Sequence, residues 1–297
     1  MKIKNSPHPY ATVTIIFWSF AYVLTRLILR YLSAFSLGFL RYFIASFVLA
    51  IMAIIIKMKL PKRADLKWFF LTGGIGFFLY MIAFNMGCKT VTASTSSIII
   101  ATVPIITAFL ARFIYHEKLI YFQWIAILIE FIGVFVLTSV DGFCMINTGL
   151  FWLILAAVAL SSYNLLLRKL AKDYSAMQIT TFNIFAGTIL LTIFLPTSLK
   201  EIQNIPLLQL FNIAVLGIFS SAIAYVSWAK AFIKAKKTTT VTNYMFITPF
   251  LTSLLGFLLA DEIPDLATIL GGVIIITGLI IFNFGNKFIN NKTRIID

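Results

Sequence analysis

Trp18, Tyr22 and Thr25 stand at i, i+4 and i+7, so a helix would present all three on one face. Ser221, Tyr225 and Trp228 repeat that spacing, and Tyr80 and Phe84 share a face with Asn85 adjacent. Ser161, Asn164 and Arg168 form a further stripe with Tyr163 alongside, and Asn183, Asn243 and Tyr244 add more polar groups. All of them lie within or at the edges of strongly apolar runs. Ring faces of this kind hold an apolar or cationic part of a small molecule, while amides and hydroxyls take its polar groups. The chemistry offered is recognition. The same residue types also act as glue between helices and as aromatic belts at membrane interfaces, and for most of these positions both uses stay open.

Glu130 is set deep inside an apolar run, where an ionisable group is costly and marks function by default. It reads either as a proton-coupling carboxylate or as half of a structural ion pair with Arg41 or Arg26. The ion pair is the favoured expectation, because both arginines lie a few residues from the outer ends of their runs. Bond-making chemistry finds no support. His116-Glu117-Lys118-Leu119-Ile120 is not an HExxH motif, and there is no phosphate loop, nucleophile elbow or carboxylate dyad. No catalytic residue, metal ligand or cofactor is expected, and no nucleotide motif suggests an ATP-driven pump. Cys88 and Cys144 have no metal-type spacing and read as small buried apolar residues.

The elements that carry these groups follow from composition. The chain is 61% hydrophobic and 11% charged, with 30 Phe, and its mean hydropathy is +0.99. Soluble domains are about 45–50% apolar and about 25% charged, so the solvent here must be lipid. A helix needs about 20 apolar residues to cross the hydrocarbon core. That length divides the chain into ten expected spans: 10–31, 35–56, 68–88, 92–114, 121–139, 148–169, 176–195, 208–230, 238–259 and 266–285. The first is read as an uncleaved helix and not a signal peptide, since no small-residue cleavage site follows it. The fold class is all-α integral membrane.

The net charge of +14 comes from short basic clusters between spans, which orient a membrane protein and do not suggest nucleic-acid binding. With a cytoplasmic N-terminus, 19 Lys and Arg fall on the cytoplasmic side and 5 outside, the latter being Arg26, Arg30, Arg41, Lys89 and Lys200. Both termini are therefore expected in the cytoplasm of a multi-pass protein of the inner, cytoplasmic membrane.

Residues 72–138 and 217–283 align without a gap under a shift of 145 positions. Tyr80 falls on Tyr225, Thr95 on Thr240, Pro104 on Pro249, Thr107 on Thr252, Glu117 on Glu262 and Gly133 on Gly278. Five spans per half is an odd number, so the halves 10–139 and 148–285 would run in opposite directions, as inverted five-helix repeats. Equivalence favours the pocket reading for Tyr80 and Tyr225. Pro104 and Pro249 should kink their spans and are candidate hinges.

Pro104…Glu117-Lys-Leu and Pro249…Glu262, each followed by a helix with Gly133 or Gly278, resemble the drug/metabolite transporter superfamily. So do Phe17-Trp18-Ser-Phe-Ala-Tyr22 and Phe39-Leu-Arg41-Tyr-Phe. The likeness is to proteins with two EamA domains. It implies a ten-helix carrier with a central cavity and, for Trp18, Tyr22, Tyr80, Tyr163, Tyr225 and Trp228, positions facing that cavity. It also implies structural, end-of-helix roles for Glu117 and Glu262. The expected function is secondary transport of small metabolites by alternating access, foremost export of amino acids or related compounds. Alternatives are a multidrug or metabolite carrier of either direction, an intramembrane enzyme, or a scaffold. The expected partners are a small-molecule substrate and the lipid bilayer, and nothing requires more than a monomer.

Overall fold

A computed structural model of the protein describes residues 6–116, 119–139, 148–235 and 241–293. The readings for Glu117, Cys144 and Thr240 fall outside them. The elements are α1 His8–Ile28, α2 Ala34–Ile55, α3 Arg63–Thr90, α4 Ala93–Ile114, α5 Tyr121–Ser139, α6 Thr148–Leu170, α7 Ala176–Asn204, α8 Leu207–Lys234, α9 Asn243–Ala260 and α10 Leu266–Thr293. No strand occurs among the described residues. Eight elements, α1–α4 and α6–α9, are long and apolar enough to cross a membrane; α5 and α10 contain apolar stretches over Tyr121–Val136 and Thr268–Phe282.

Several helix starts are set by side chains that satisfy the free N–H groups of the first turn. Ser33 Oγ accepts from the Ser36 N–H at 3.2 Å, and Thr92 Oγ1 from the Thr95 N–H at 3.2 Å. Ser175 and Gln178 form a reciprocal capping box ahead of α7. The expected end of that span at 195 is passed, because Pro196 sits in the first turn of a resumed helix, Leu195–Glu201, where its missing N–H is harmless. Glu201 then accepts from the Ser33 N–H at 2.8 Å and ties the end of α7 to the start of α2. His8 is the first residue of α1, and its Nδ1 meets the Tyr244 hydroxyl at 2.6 Å.

Two departures from regular helix are matched. π-helical stretches occupy Gly74–Leu79 in α3 and Leu216–Ile223 in α8, each ending at or just before a tyrosine of the equivalent pair, Tyr80 or Tyr225. Such stretches are rare and gather at functional sites. The prolines do not kink continuous helices as expected. α4 breaks after Ile100 and resumes at Val103, with Pro104 in the new first turn. Val241 and Thr242 are helical, the 3-10 stretch Asn243–Ile247 follows them, and the α-helix resumes at Thr248 with Pro249 in its first turn.

The principal pairings join the first five elements to the last five. α1 packs on α8 and α9, α2 on α7 and α8, α3 on α6 and α7, α4 on α6 and α9, and α5 on α10. Exchanging α1–α5 for α6–α10 in order returns this same set. The α5–α10 contact shows the reciprocity in atoms. A Cβ on Gly133 would stand 2.6 Å from Ile275 Cγ1, and one on Gly278 would stand 3.0 Å from Glu130 Cγ. Gly133 and Gly278 are 145 apart, as are Glu130 and Ile275. Small residues here let backbones approach, which is how helices associate without a hydrophobic drive. Phe43, Phe47, Phe131, Phe211, Phe250 and Phe257 cover the outside of the bundle. In water such a surface would aggregate; in lipid it is the expected exterior.

Candidate functional site

The faces of α1, α3, α6 and α8 singled out by spacing meet in one aromatic cluster. Trp18 lies 5.2 Å from Tyr225 and 4.9 Å from Trp228 between ring centroids. Tyr22 meets Phe84 edge-on at 5.1 Å, and Phe84 stacks on Tyr80 at 5.6 Å. Tyr163 reaches Tyr225 at 6.3 Å. Phe77, a residue of the first π stretch, bridges Tyr163 at 5.2 Å, Tyr225 at 4.7 Å and Tyr42 at 5.5 Å. These rings pack against one another where the helices meet. Gly76 makes room for this packing, since a Cβ there would lie 2.5 Å from the Tyr163 ring.

The polar residues divide into two groups. Ser161 Oγ is taken up by the carbonyls of Ala157 at 2.7 Å and Val103 at 3.2 Å, beside the break in α4. Asn183 accepts from the Thr72 hydroxyl and joins α7 to α3, with its Nδ2 left over. Both contacts act as glue. Asn164 receives the Trp228 indole N–H at 3.1 Å and leaves its own Nδ2 without a partner. Asn85 donates to the Ala34 carbonyl at 2.8 Å, and its Oδ1 is left over. Buried polar atoms are nearly always paired, so such remainders mark places where a ligand or water completes the set. The hydroxyls of Thr107 and Thr252, equivalents one turn beyond the two prolines, are also buried without partners. Asn243 lies in the opening turn of α9, next to the Tyr244 that meets His8.

The expected ion pair of Glu130 with Arg41 or Arg26 is not formed. Arg26 pairs with Glu262 across the C-terminal ends of α1 and α9, and its Nη1 donates to the carbonyls of Cys88 at 3.1 Å and Val91 at 2.9 Å. Glu262 also accepts from the Ala93 N–H at 2.8 Å, so one carboxylate fastens α1, α4 and α9 together. Arg41 is 3% exposed and turns inward, donating to Ser221 Oγ at 2.7 Å and to the Ser220 carbonyl at 3.5 Å. Ser220 is in the second π stretch, and its carbonyl also receives the Trp18 indole N–H at 3.2 Å. The pairing failed because both arginines lie on faces that meet α8 or α9, whereas Glu130 sits between α5 and α10.

The sequence reading therefore missed the place of Arg41. Its guanidinium carbon lies 5.9 Å from the centroid of the Tyr42 ring, and no carboxylate is within ion-pair distance among the described residues. The signal was present: a lone arginine seven residues into an apolar run is too deep to serve orientation alone. Its neighbour Ser221 is 180 residues away and could not be named from spacing.

Comparison with known proteins gives a consistent picture. The EamA-like transporter family matches twice, over residues 7–139 and 147–284. An uncharacterized transporter of Bacillus subtilis, YdfC, is 32% identical over 82% of this chain and 79% of its own length. A probable terminal-alkyne amino-acid exporter of Streptantibioticus cattleyicolor is 26% identical over 95% of both chains. An S-adenosylmethionine uptake transporter of Rickettsia bellii is 22% identical over 86% of both. A solved crystal structure, 17% identical, superposes with a TM-score of 0.65 over 93% of this chain and 96% of that one, and so shares the fold.

Proposed function

The chain belongs to the EamA-like transporter family, a multi-pass membrane protein, and from that premise we propose that it is a secondary carrier of amino-acid-like metabolites. The observation that carries this reading is Arg41, a buried cation held by Ser221 against the aromatic junction with no acid at ion-pair distance among the described residues. A guanidinium so placed is suited to a carboxylate, which it takes with paired hydrogen bonds. The ring faces of Tyr80, Tyr225 and Trp228 suit an ammonium or an apolar side chain. Trp18, Tyr22, Phe84, Asn85, Tyr163, Asn164 and Asn243 complete the proposed substrate set. The substrates named for two relatives, a terminal-alkyne amino acid and S-adenosylmethionine, both carry an α-carboxylate and an α-ammonium. Export is the proposed direction.

In this reading ten spans form two inverted five-helix repeats, with both termini cytoplasmic and the protein in the cell membrane. The exchange-invariant helix pairings and the matched π stretches support that arrangement. Alternating access would then proceed by the two halves rocking about the junction, with the breaks at Pro104 and Pro249 as hinges. The Arg26–Glu262 pair is the fastening of the outer side. Thermal stability of the purified protein across a panel of amino acids and related metabolites tests the proposal, because a ligand that binds only the folded state raises the melting temperature. Stabilisation by a carboxylate-bearing subset supports it. A flat response across the panel would favour a scaffold.

A further inference from the structure

A groove of about 600 Å³ runs along the flank of the bundle where α2 meets α7. Phe39, Phe43, Ile189 and Leu195 wall it, and Phe43 and Ile189 are exposed, so it faces lipid and not the aromatic junction. Its three hydroxyls are already used. Ser46 Oγ and Thr188 Oγ1 share a hydrogen bond of 2.8 Å, Thr188 Oγ1 donates to the Ile184 carbonyl at 2.8 Å, and Thr192 Oγ1 donates to the Thr188 carbonyl at 3.0 Å. What the groove offers an occupant is hydrocarbon. One end of it is charged. Glu201 near the end of α7 accepts from the Ser33 N–H at the start of α2. Arg30 stands three residues before Ser33 and Lys200 is next to Glu201; both are exposed, with no acid at ion-pair distance among the described residues. Residues 29–40 and 190–215 carry no other Lys, Arg, Asp or Glu, so two cations and one carboxylate leave this end with a net charge of +1.

We propose that the groove is a binding site for an anionic phospholipid, with one acyl chain lying between α2 and α7 and the phosphodiester held by Arg30 and Lys200. Depth fits the two parts together. Phe39 is five residues into α2 and Ser46 twelve, so the groove lies about 8–18 Å along the helix from its start. One leaflet of hydrocarbon is about 15 Å thick, and a chain hung from headgroup level reaches that depth. Arginine takes a phosphate with paired hydrogen bonds, and lysine adds a point charge. Charge selects the headgroup. A zwitterionic lipid has no net charge to answer the +1, whereas phosphatidylglycerol brings one negative charge. Because α2 belongs to the first five elements and α7 to the last five, the lipid bridges the two sets. It adds to the Phe35–Phe194 stack at 4.7 Å and the Ser33–Glu201 bond, which already join them at this end.

The test titrates the full chain, delipidated in detergent, with phosphatidylglycerol and phosphatidylcholine of identical chains, read by native mass spectrometry. The expected result is one phosphatidylglycerol retained per chain, held about tenfold more tightly than phosphatidylcholine. Arg30→Gln combined with Lys200→Gln should erase that preference. Ile189→Trp, which fills the groove from α7 and keeps both charges, should lose the bound lipid. Lys89→Gln, which removes an exposed cation at the end of α3, should change nothing. Glycerol 3-phosphate, a phosphate without chains, should not displace the lipid. Equal retention of the two lipids, displacement by glycerol 3-phosphate, or a preference that survives the double variant would overturn the proposal. So would a preference lost equally in Lys89→Gln, or phosphatidylglycerol bound undiminished in Ile189→Trp. A dimer that Ile189→Trp disperses would also overturn it, by seating a second copy of the chain in the groove. None of these results depends on amino-acid transport through the central junction.

Discussion

At the scale of single residues, the contrast between Arg41 and Glu130 carries most of the chemistry. Both are ionisable types buried in a lipid-facing bundle, and the sequence invites pairing them. The fold puts Arg41 on the α2–α8 face and Glu130 on the α5–α10 face, so each is left for something else to satisfy. Removing one member of a buried charge pair costs about 2–5 kcal/mol, roughly thirtyfold or more in affinity. Arg41→Gln should therefore abolish the thermal stabilisation given by an amino-acid ligand, and Arg41→Lys should restore part of it without the paired geometry. Ligand titration of each purified variant checks this; an unchanged affinity in Arg41→Gln would remove the arginine from the site. The aromatic partners were legible because i, i+4 spacing fixes which residues share a helix face. Phe77 and Ser220 were not, because the π stretches that present them break that spacing.

At the scale of elements, close approach and end fastening do separate work. The reciprocal glycines of α5 and α10 leave no room for a methyl group against Ile275 or Glu130. Gly133→Ala and Gly278→Ala should each lower stability by about 1–3 kcal/mol, the usual cost of overpacking, read as a lower melting temperature in detergent. Equal stability in both variants would mean that the helices separate more freely than this contact allows. The outer fastening makes a different prediction. Arg26 holds the Cys88 carbonyl, and Cys88 is fully buried. In a Cys144→Ser background, Glu262→Gln should speed labelling of Cys88 by a membrane-impermeant maleimide added outside. If labelling stays as slow as in the parent, the Arg26–Glu262 pair does not close that side. Helix existence was legible from apolar run length. The breaks beside Pro104 and Pro249 were not, because a proline marks equally a kink within a helix and the first turn of a new one.

At the scale of the whole molecule, a shift of 145 positions, a 19-to-5 split of basic residues and an exchange-invariant set of helix pairings point the same way. The shift and the split could be read in the sequence; the pairings could not, since contacts between helices of the two halves leave no local pattern. Trp18 and Tyr163 extend the correspondence, being themselves 145 apart and both in the aromatic junction. What is particular to this carrier should then lie where the halves differ, at Arg41, Glu130 and Trp228. The central claim is that the junction moves a small molecule by its carboxylate. Its most direct test is uptake into proteoliposomes of a labelled amino acid drawn from the stabilising set, beside the amine left when that amino acid loses its carboxyl group. Saturable uptake of the amino acid, at least tenfold weaker for the amine and for Arg41→Gln, is the predicted result. Equal transport of amino acid and amine, or transport undiminished in Arg41→Gln, would contradict it.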